Sequence, residues 1–243
     1  MSAPCFAIEL VTFDIGGTLL TFRPDQVHEW IVVLSEVGIE ADEALIDASI
    51  AVERPRAVAH RQETVGADHL VNTESGEARR RRYIGNVLRG AGVAEAELQR
   101  AEEAIKQAFD SPRMYVAYDD ALPTLRELWL RGLKLAAVSN TWPSMPRILQ
   151  ALGFADYLGF WVISEFVGVE KPAAAIFERA LEIAAVEPAR AIHVGDDYAT
   201  DVVGALGVEM RAVLLDRSGT ADTRGEGRAS IIHRLGELLT IVE

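Results

Sequence analysis

Through the second half of this chain, short apolar runs alternate with longer stretches of helical periodicity, and few folds accommodate that alternation. The runs are LKLAAVSN (Leu133 to Asn140), FWVIS (Phe160 to Ser164), AIHVGDD (Ala191 to Asp197) and AVLLD (Ala212 to Asp216). Each ends in small or polar residues. Between them lie segments such as ALPTLRELWLRGL and AIFERALEIAA, whose apolar residues recur at three- and four-residue spacing, the period of a helix with one buried face. A further strand, IELVTFD, stands near the start. Strand and helix in alternation predict an α/β fold, a parallel sheet with helices on both faces.

Residues 22–115 carry a different pattern. Amphipathic helical periodicity runs over Val27 to Val37, Leu45 to Ala59, Tyr83 to Leu88 and Leu98 to Phe109, with no convincing strand. The chain therefore divides into a core of residues 1–21 and 116–243 and an all-helical insertion of residues 22–115. At 243 residues it is long enough to bury a sizeable core. Its 37 acidic and 24 basic residues give a net charge of −13, which opposes attraction to nucleic acid or anionic membrane and points to small ligands or cations as partners. Cys5 is the single cysteine, so no internal disulfide forms and a reducing compartment is expected. The amino terminus lacks the pattern of a signal peptide, and no run reaches the roughly 18 apolar residues of a membrane span; a soluble, cytoplasmic protein is expected. Gly219 to Arg228 is the most loop-like stretch. Oligomeric state leaves no mark in the sequence.

In an open α/β sheet, ligands collect beyond the carboxyl ends of the strands. Asp14, Ser139 with Asn140, and Asp196 with Asp197 stand at such ends, and Lys171 follows the strand that ends near Ser164. These residues should converge.

They fall within four motifs, FDIGGTL (Phe13 to Leu19), VSNT (Val138 to Thr141), GVEKP (Gly168 to Pro172) and VGDDYATDVVGA (Val194 to Ala205). In this order, with a helical insertion after the first, they resemble the haloacid dehalogenase superfamily of hydrolases and cover nearly the whole chain. The resemblance implies a Rossmann-like core with a helical cap, and a Mg²⁺-dependent phosphohydrolase acting on a small phosphorylated metabolite. It implies Asp14 as nucleophile, forming an aspartyl-phosphate, with Lys171 neutralising the charge that gathers. Asp14, the backbone carbonyl of Gly16 and Asp196 would hold Mg²⁺, which needs only one or two protein carboxylates. Asp201 would orient water or Lys171, and Ser139 and Asn140, with Lys171, would bind the phosphoryl group.

Each motif residue has a plainer reading. A strand-end Asp is often a turn former or helix cap, Lys171 could be a solvated lysine before a proline, and Asp201 an exposed first-turn residue. His193, inside an apolar strand, reads as a satisfied core histidine. Asp119 and Asp120 read as the cap of the helix that follows. The run Arg79 to Tyr83 invites a phosphate-binding reading, but consecutive helical residues point in different directions, so a solvated helix is the simpler account.

One residue departs from the family pattern. Relatives that hydrolyse phosphate esters carry a second Asp two residues after the nucleophile as general acid and base, and here that position is Gly16. A backbone carbonyl still serves a metal. What is lost is proton transfer, typically worth about 10²- to 10⁴-fold, and the loss bears hardest on alkoxide leaving groups. Three relatives lack that Asp. The 2-haloacid dehalogenases place a Tyr there and lack the metal motif kept here as Gly195 and Asp196. Phosphonatases need a cap lysine, for which only Lys106 is available. The third is a non-catalytic binding or regulatory protein, against which the joint presence of Asp14, Lys171, Asp196 and Asp201 argues.

Overall fold

The computed structural model describes residues 7–64, 76–220 and 229–242. Cys5 and most of the loop-like stretch Gly219 to Arg228 lie outside them. The chain divides into two compact units, one of Met1–Thr21 with Ala117–Glu243, the other of Phe22–Val116.

The first unit is a Rossmann-like α/β core. Its sheet has six strands, β1 (Leu10–Phe13), β4 (Lys134–Ser139), β5 (Phe160–Ile163), β6 (Ala191–Gly195), β7 (Arg211–Leu215) and β8 (Ala229–Ile232), in the order β5-β4-β1-β6-β7-β8. All neighbours run parallel. Parallel strands are covered on both faces and so read as near-continuous apolar runs; every residue of β1 is buried. The buried hydroxyl of Thr12 bonds the His193 ring within the sheet (2.8 Å). Helix α8 (Ala174–Ala184) packs Ile176, Phe177, Ala180 and Leu181 onto one face with Leu10, Ala136, Val138 and Val162. The chain runs outward from β1 to β4 and β5 and then returns to β6 on the other side of β1, so the crevice beyond the carboxyl end of β1 is where the order reverses.

Five of the six strands fall on runs expected to be strands. The sixth, β8, is short and only partly buried, which leaves little apolar signal. The short helix α7 (Ser164–Val167) follows β5, and α9 (Val203–Gly207) precedes β7.

The second unit holds α1 (Gln26–Glu36), α2 (Glu43–Thr64), α3 (Gly76–Gly90) and α4 (Glu95–Phe109). Asp42 starts α2 by accepting hydrogen bonds from the N–H groups of Ala44 and Leu45 (2.8 and 3.1 Å). Trp30 of α1 meets Phe109 edge-on at 5.7 Å, and Phe22 stacks on Tyr115 at 5.2 Å. The expectation of no strand in this block is corrected at its borders, where β2 (Leu20–Phe22) and β3 (Tyr115–Ala117) pair as a two-stranded ribbon. Three residues each are too few for alternation to show. The arginine run is corrected in one member: Arg80 is buried and ion-paired to Asp110 at 2.7 Å. Among the described residues, no helix is long and apolar enough to cross a membrane.

Candidate active site

Asp14 stands one residue beyond β1, where its N–H still donates to Val194 O (2.8 Å). The chain then turns sharply. Gly17 takes a left-handed φ of +80°, and a Cβ there would overlap the Asp196 carboxylate, so glycine is required on both counts. The turn closes through Gly17 N–H to Leu20 O and Leu19 N–H to Ile15 O (both 2.9 Å).

Lys171 reaches into this turn from the loop after α7. It is 2 % exposed, and its ammonium donates to Asp14 Oδ1 (2.6 Å) and Asp201 Oδ1 (2.5 Å). Burial alone would lower its pKa, but the two carboxylates outweigh burial and raise it, so Lys171 stays charged. Asp201 is buried too, which by itself raises its pKa, yet Lys171 and His193 hold its carboxyl well below the usual carboxylate range. His193 approaches Asp201 Oδ1 with Nε2 at 3.2 Å. Burial pushes the ring's pKa down, so it is neutral. A neutral ring satisfies both neighbours when Nε2–H donates to Asp201 and the Thr12 hydroxyl donates to Nδ1. The result is a buried relay from Thr12 through His193, Asp201 and Lys171 to Asp14.

Asp201 is brought here by an unusual turn. Residues Tyr198–Val202 form one π-helical turn, entered through Asp197, whose carboxylate accepts the N–H groups of Ala199 (2.9 Å) and Thr200 (3.0 Å). Asp201 Oδ2 in turn accepts the Asp197 N–H (3.0 Å). A Cβ on Gly195 would overlap the Asp201 side chain, which explains the glycine before Asp196. Asp196 is exposed to solvent, and its carboxylate accepts a bond from the Thr18 hydroxyl (3.3 Å). Crowding by protein atoms and the carboxylates of Asp14 and Asp201 push its carboxyl up to about 7. One oxygen from each of Asp14, Asp196 and Asp201 lies within 4.8 Å of the others, a set that can hold a metal ion.

Ser139, buried at the end of β4, and Asn140 enter from the neighbouring strand. The Asn140 side chain grips the Lys171 backbone at both ends, Nδ2 to Lys171 O (2.9 Å) and Lys171 N–H to Oδ1 (2.7 Å). Its amide therefore positions the lysine loop rather than pointing at a phosphoryl group. Gly16 is exposed, and a Cβ added there would meet nothing within 4 Å.

Other readings change. Asp120 sits at the cap position of α5 (Ala121–Leu130) but makes no cap bond; its carboxylate pairs with Arg217 and accepts the Leu235 N–H (2.8 Å). Lys106 is held by Asp110 (3.3 Å) and Glu77 (3.7 Å). Thr12 and Arg217 lie outside the four motifs and escape a reading of the sequence, although a lone Thr inside an apolar strand and an Arg just past a strand end are the marks each leaves; Thr18 lies within the first motif, but nothing in the sequence marks its bond to Asp196.

Residues 8–208 match the family model for haloacid dehalogenase-like hydrolases. The chain is 32% identical over 212 residues to haloacid dehalogenase-like hydrolase domain-containing protein 3 of Homo sapiens, covering 86% of this chain and 82% of that one. It is 29% identical over 250 residues to a glyceraldehyde 3-phosphate phosphatase of Methanopyrus kandleri, covering 97% of both. Among solved structures, the Bacillus subtilis HAD-hydrolase YfnB, bound to magnesium, superposes with a TM-score of 0.79 at 15% identity, covering 98% of this chain and all of that one.

Proposed function

The chain belongs to the haloacid dehalogenase-like hydrolases, and we propose that within them it is a metal-dependent phosphohydrolase acting through an aspartyl-phosphate on Asp14. The observation that carries this reading is the buried Lys171 ammonium bridging Asp14 and Asp201 at the carboxyl edge of β1. A phosphatase of similar length and 29% identity adds support for phosphate esters as the substrate class.

The residues fit a divalent cation. The carboxylates of Asp14, Asp196 and Asp201 gather around the one ammonium of Lys171, leaving negative charge in excess. Hard oxygen donors suit Mg²⁺. Asp14, the Gly16 carbonyl and Asp196 would hold it, with Asp201 fixing Lys171. When bound, Mg²⁺ supplies neutralisation of the transferring phosphoryl oxygens.

In this reading an Asp14 oxygen attacks phosphorus and the bond to the leaving oxygen breaks, the electron pair departing with the leaving group. The Ser139 hydroxyl and Lys171 hold the phosphoryl oxygens. Water then attacks the aspartyl-phosphate, releasing phosphate and restoring the carboxylate. No carboxyl stands at Gly16 to protonate the leaving group, and Asp201 and Asp14 are both taken up by Lys171. The substrates served best are therefore those whose leaving group departs as a stable anion, acyl and aryl phosphates. The inserted helical unit serves to choose among small phosphorylated metabolites.

Phosphate release with Mg²⁺ from acetyl phosphate, para-nitrophenyl phosphate and sugar phosphates, with Asp14→Asn as the blank, tests this. Turnover of the activated members, absent from the blank, is expected. Substantial activity in Asp14→Asn would overturn the mechanism, and no turnover on any member with Mg²⁺ still bound by calorimetry would make the protein a binding module.

A further inference from the structure

Arg217 follows β7, outside all four motifs, yet its guanidinium donates to four oxygens at once. Nε donates to Gly17 O (3.2 Å) and Nη2 to Thr18 O (2.9 Å). Nη2 and Nη1 also pair with the two carboxylate oxygens of Asp120 (2.9 and 3.2 Å). The guanidinium plane lies 3.8 Å from the ring centroid of Tyr118. A planar fork with five N–H donors and a stacking face can satisfy these partners together, whereas a lysine ammonium is a point charge that cannot.

We propose that Arg217 is a positioning residue that clamps the loop following Asp14 and so sets Asp14, the Gly16 carbonyl and Asp196 relative to one another. One side of that loop presents the carbonyls of Gly17 and Thr18 to Arg217. Its other side rests on Asp196, through the Thr18 hydroxyl (3.3 Å) and the close approach of Gly17. A shift of the loop therefore moves the Gly16 carbonyl and the Thr18 hydroxyl relative to Asp196, and misplacement by about 1 Å can cost on the order of 10²-fold in rate. Asp120 acts as the anchor. Burial tends to raise its pKa, but the bonds from Arg217 and the Leu235 N–H prevail and lower it, so the anchor stays ionised.

The partners of Arg217 also bracket the insertion in sequence. Gly17 and Thr18 precede Thr21, where the chain leaves the core, and Tyr118 and Asp120 follow Ala117, where it returns. All of these partners lie in the core unit, on the two segments that flank the insertion in sequence. The clamp depends on the hydrolase reading only in what it does to turnover; its effect on the loop and on cation binding stands apart.

The test compares wild type, Arg217→Lys and Tyr118→Leu, the last removing the stacking face while leaving every hydrogen bond. Amide hydrogen exchange is read at Gly17, Leu19 and Leu20, against Ile192 and Val194 of β6 as internal reference, and the Mg²⁺ dissociation constant is read by calorimetry. In Arg217→Lys, exchange at the three loop amides should rise about tenfold, the cost of one charge-assisted hydrogen bond, with β6 unchanged and Mg²⁺ binding weakened by a similar factor. Tyr118→Leu should move the same amides by less. If Arg217→Lys does not fold, Tyr118→Leu alone decides. Loop exchange unchanged in the folded variants, or raised equally in loop and β6, overturns the clamp. A wild type that hydrolyses nothing, with the loop and Mg²⁺ effects present, would overturn the hydrolase reading and leave the clamp standing.

Discussion

Lys171 is held between two carboxylates with almost no access to water, an arrangement that costs several kcal/mol of desolvation per ion unless the pairing is close to ideal. A chain that needed only a scaffold would be better served by apolar residues there. Gly16, by contrast, adds nothing to the network, and its open surroundings make it the natural place to test what the site lacks. Gly16→Asp should fold normally, since a Cβ there meets nothing. It should raise hydrolysis of sugar phosphates, by up to about 10²-fold where a proton is needed, and that of para-nitrophenyl phosphate much less. Equal gains on both classes, measured as kcat/KM, would show that the missing carboxyl does not set the substrate range. The sequence exposes this gap because a motif position has a fixed residue type to depart from. It cannot expose the partners of Asp120, which lie 97 and 115 residues away.

At the scale of elements, the π-helical turn Tyr198–Val202 decides where Asp201 points. An extra residue in the turn re-aims side chains relative to an ordinary helix, and such turns are frequent at functional sites. Asp197 holds its entry, so Asp197→Ala should cost about 1 kcal/mol, the usual loss of a capping side chain, and should weaken Mg²⁺ binding as well. Asp197→Asn keeps an acceptor and should retain most of both. Urea unfolding and calorimetry on the two variants check this; an Asn variant as damaged as the Ala variant would mean that charge, rather than capping, is the contribution of Asp197. The turn is invisible in the sequence because its hydrogen bonds are made by the backbone. The strands around it are legible because parallel strands are buried on both faces and announce themselves as apolar runs.

Across the whole molecule, the buried relay ties folding to pH. His193 is neutral in the folded state because burial lowers its pKa, whereas in the unfolded chain it titrates near 6.5. The unfolded state therefore binds more protons below that value. Stability contributed by His193 is complete above about pH 6.5 and is lost as pH falls towards the folded pKa, at up to about 1.4 kcal/mol per pH unit. Asp196, whose carboxyl is raised, works in the opposite direction from about pH 4 to 7, so the comparison must be with His193→Gln. The difference in unfolding free energy between wild type and this variant should grow from pH 5 to 6.5 and level off above it. A difference independent of pH would mean that the ring is not buried neutral. Hydrophobic periodicity, strand order along the chain and the positions of Asp14, Ser139, Lys171, Asp196 and Asp201 are local properties of the sequence, and they determined the α/β core, the helical insertion and the edge at which those residues gather. Only the tertiary structure decided the rest: that Asn140 grips Lys171, that His193 backs Asp201, that Asp120 answers Arg217 instead of capping a helix, and that Arg80 is buried. Those outcomes depend on which buried polar group finds which partner, and that choice is made by packing between segments far apart in the chain, where desolvation leaves no buried charge without one.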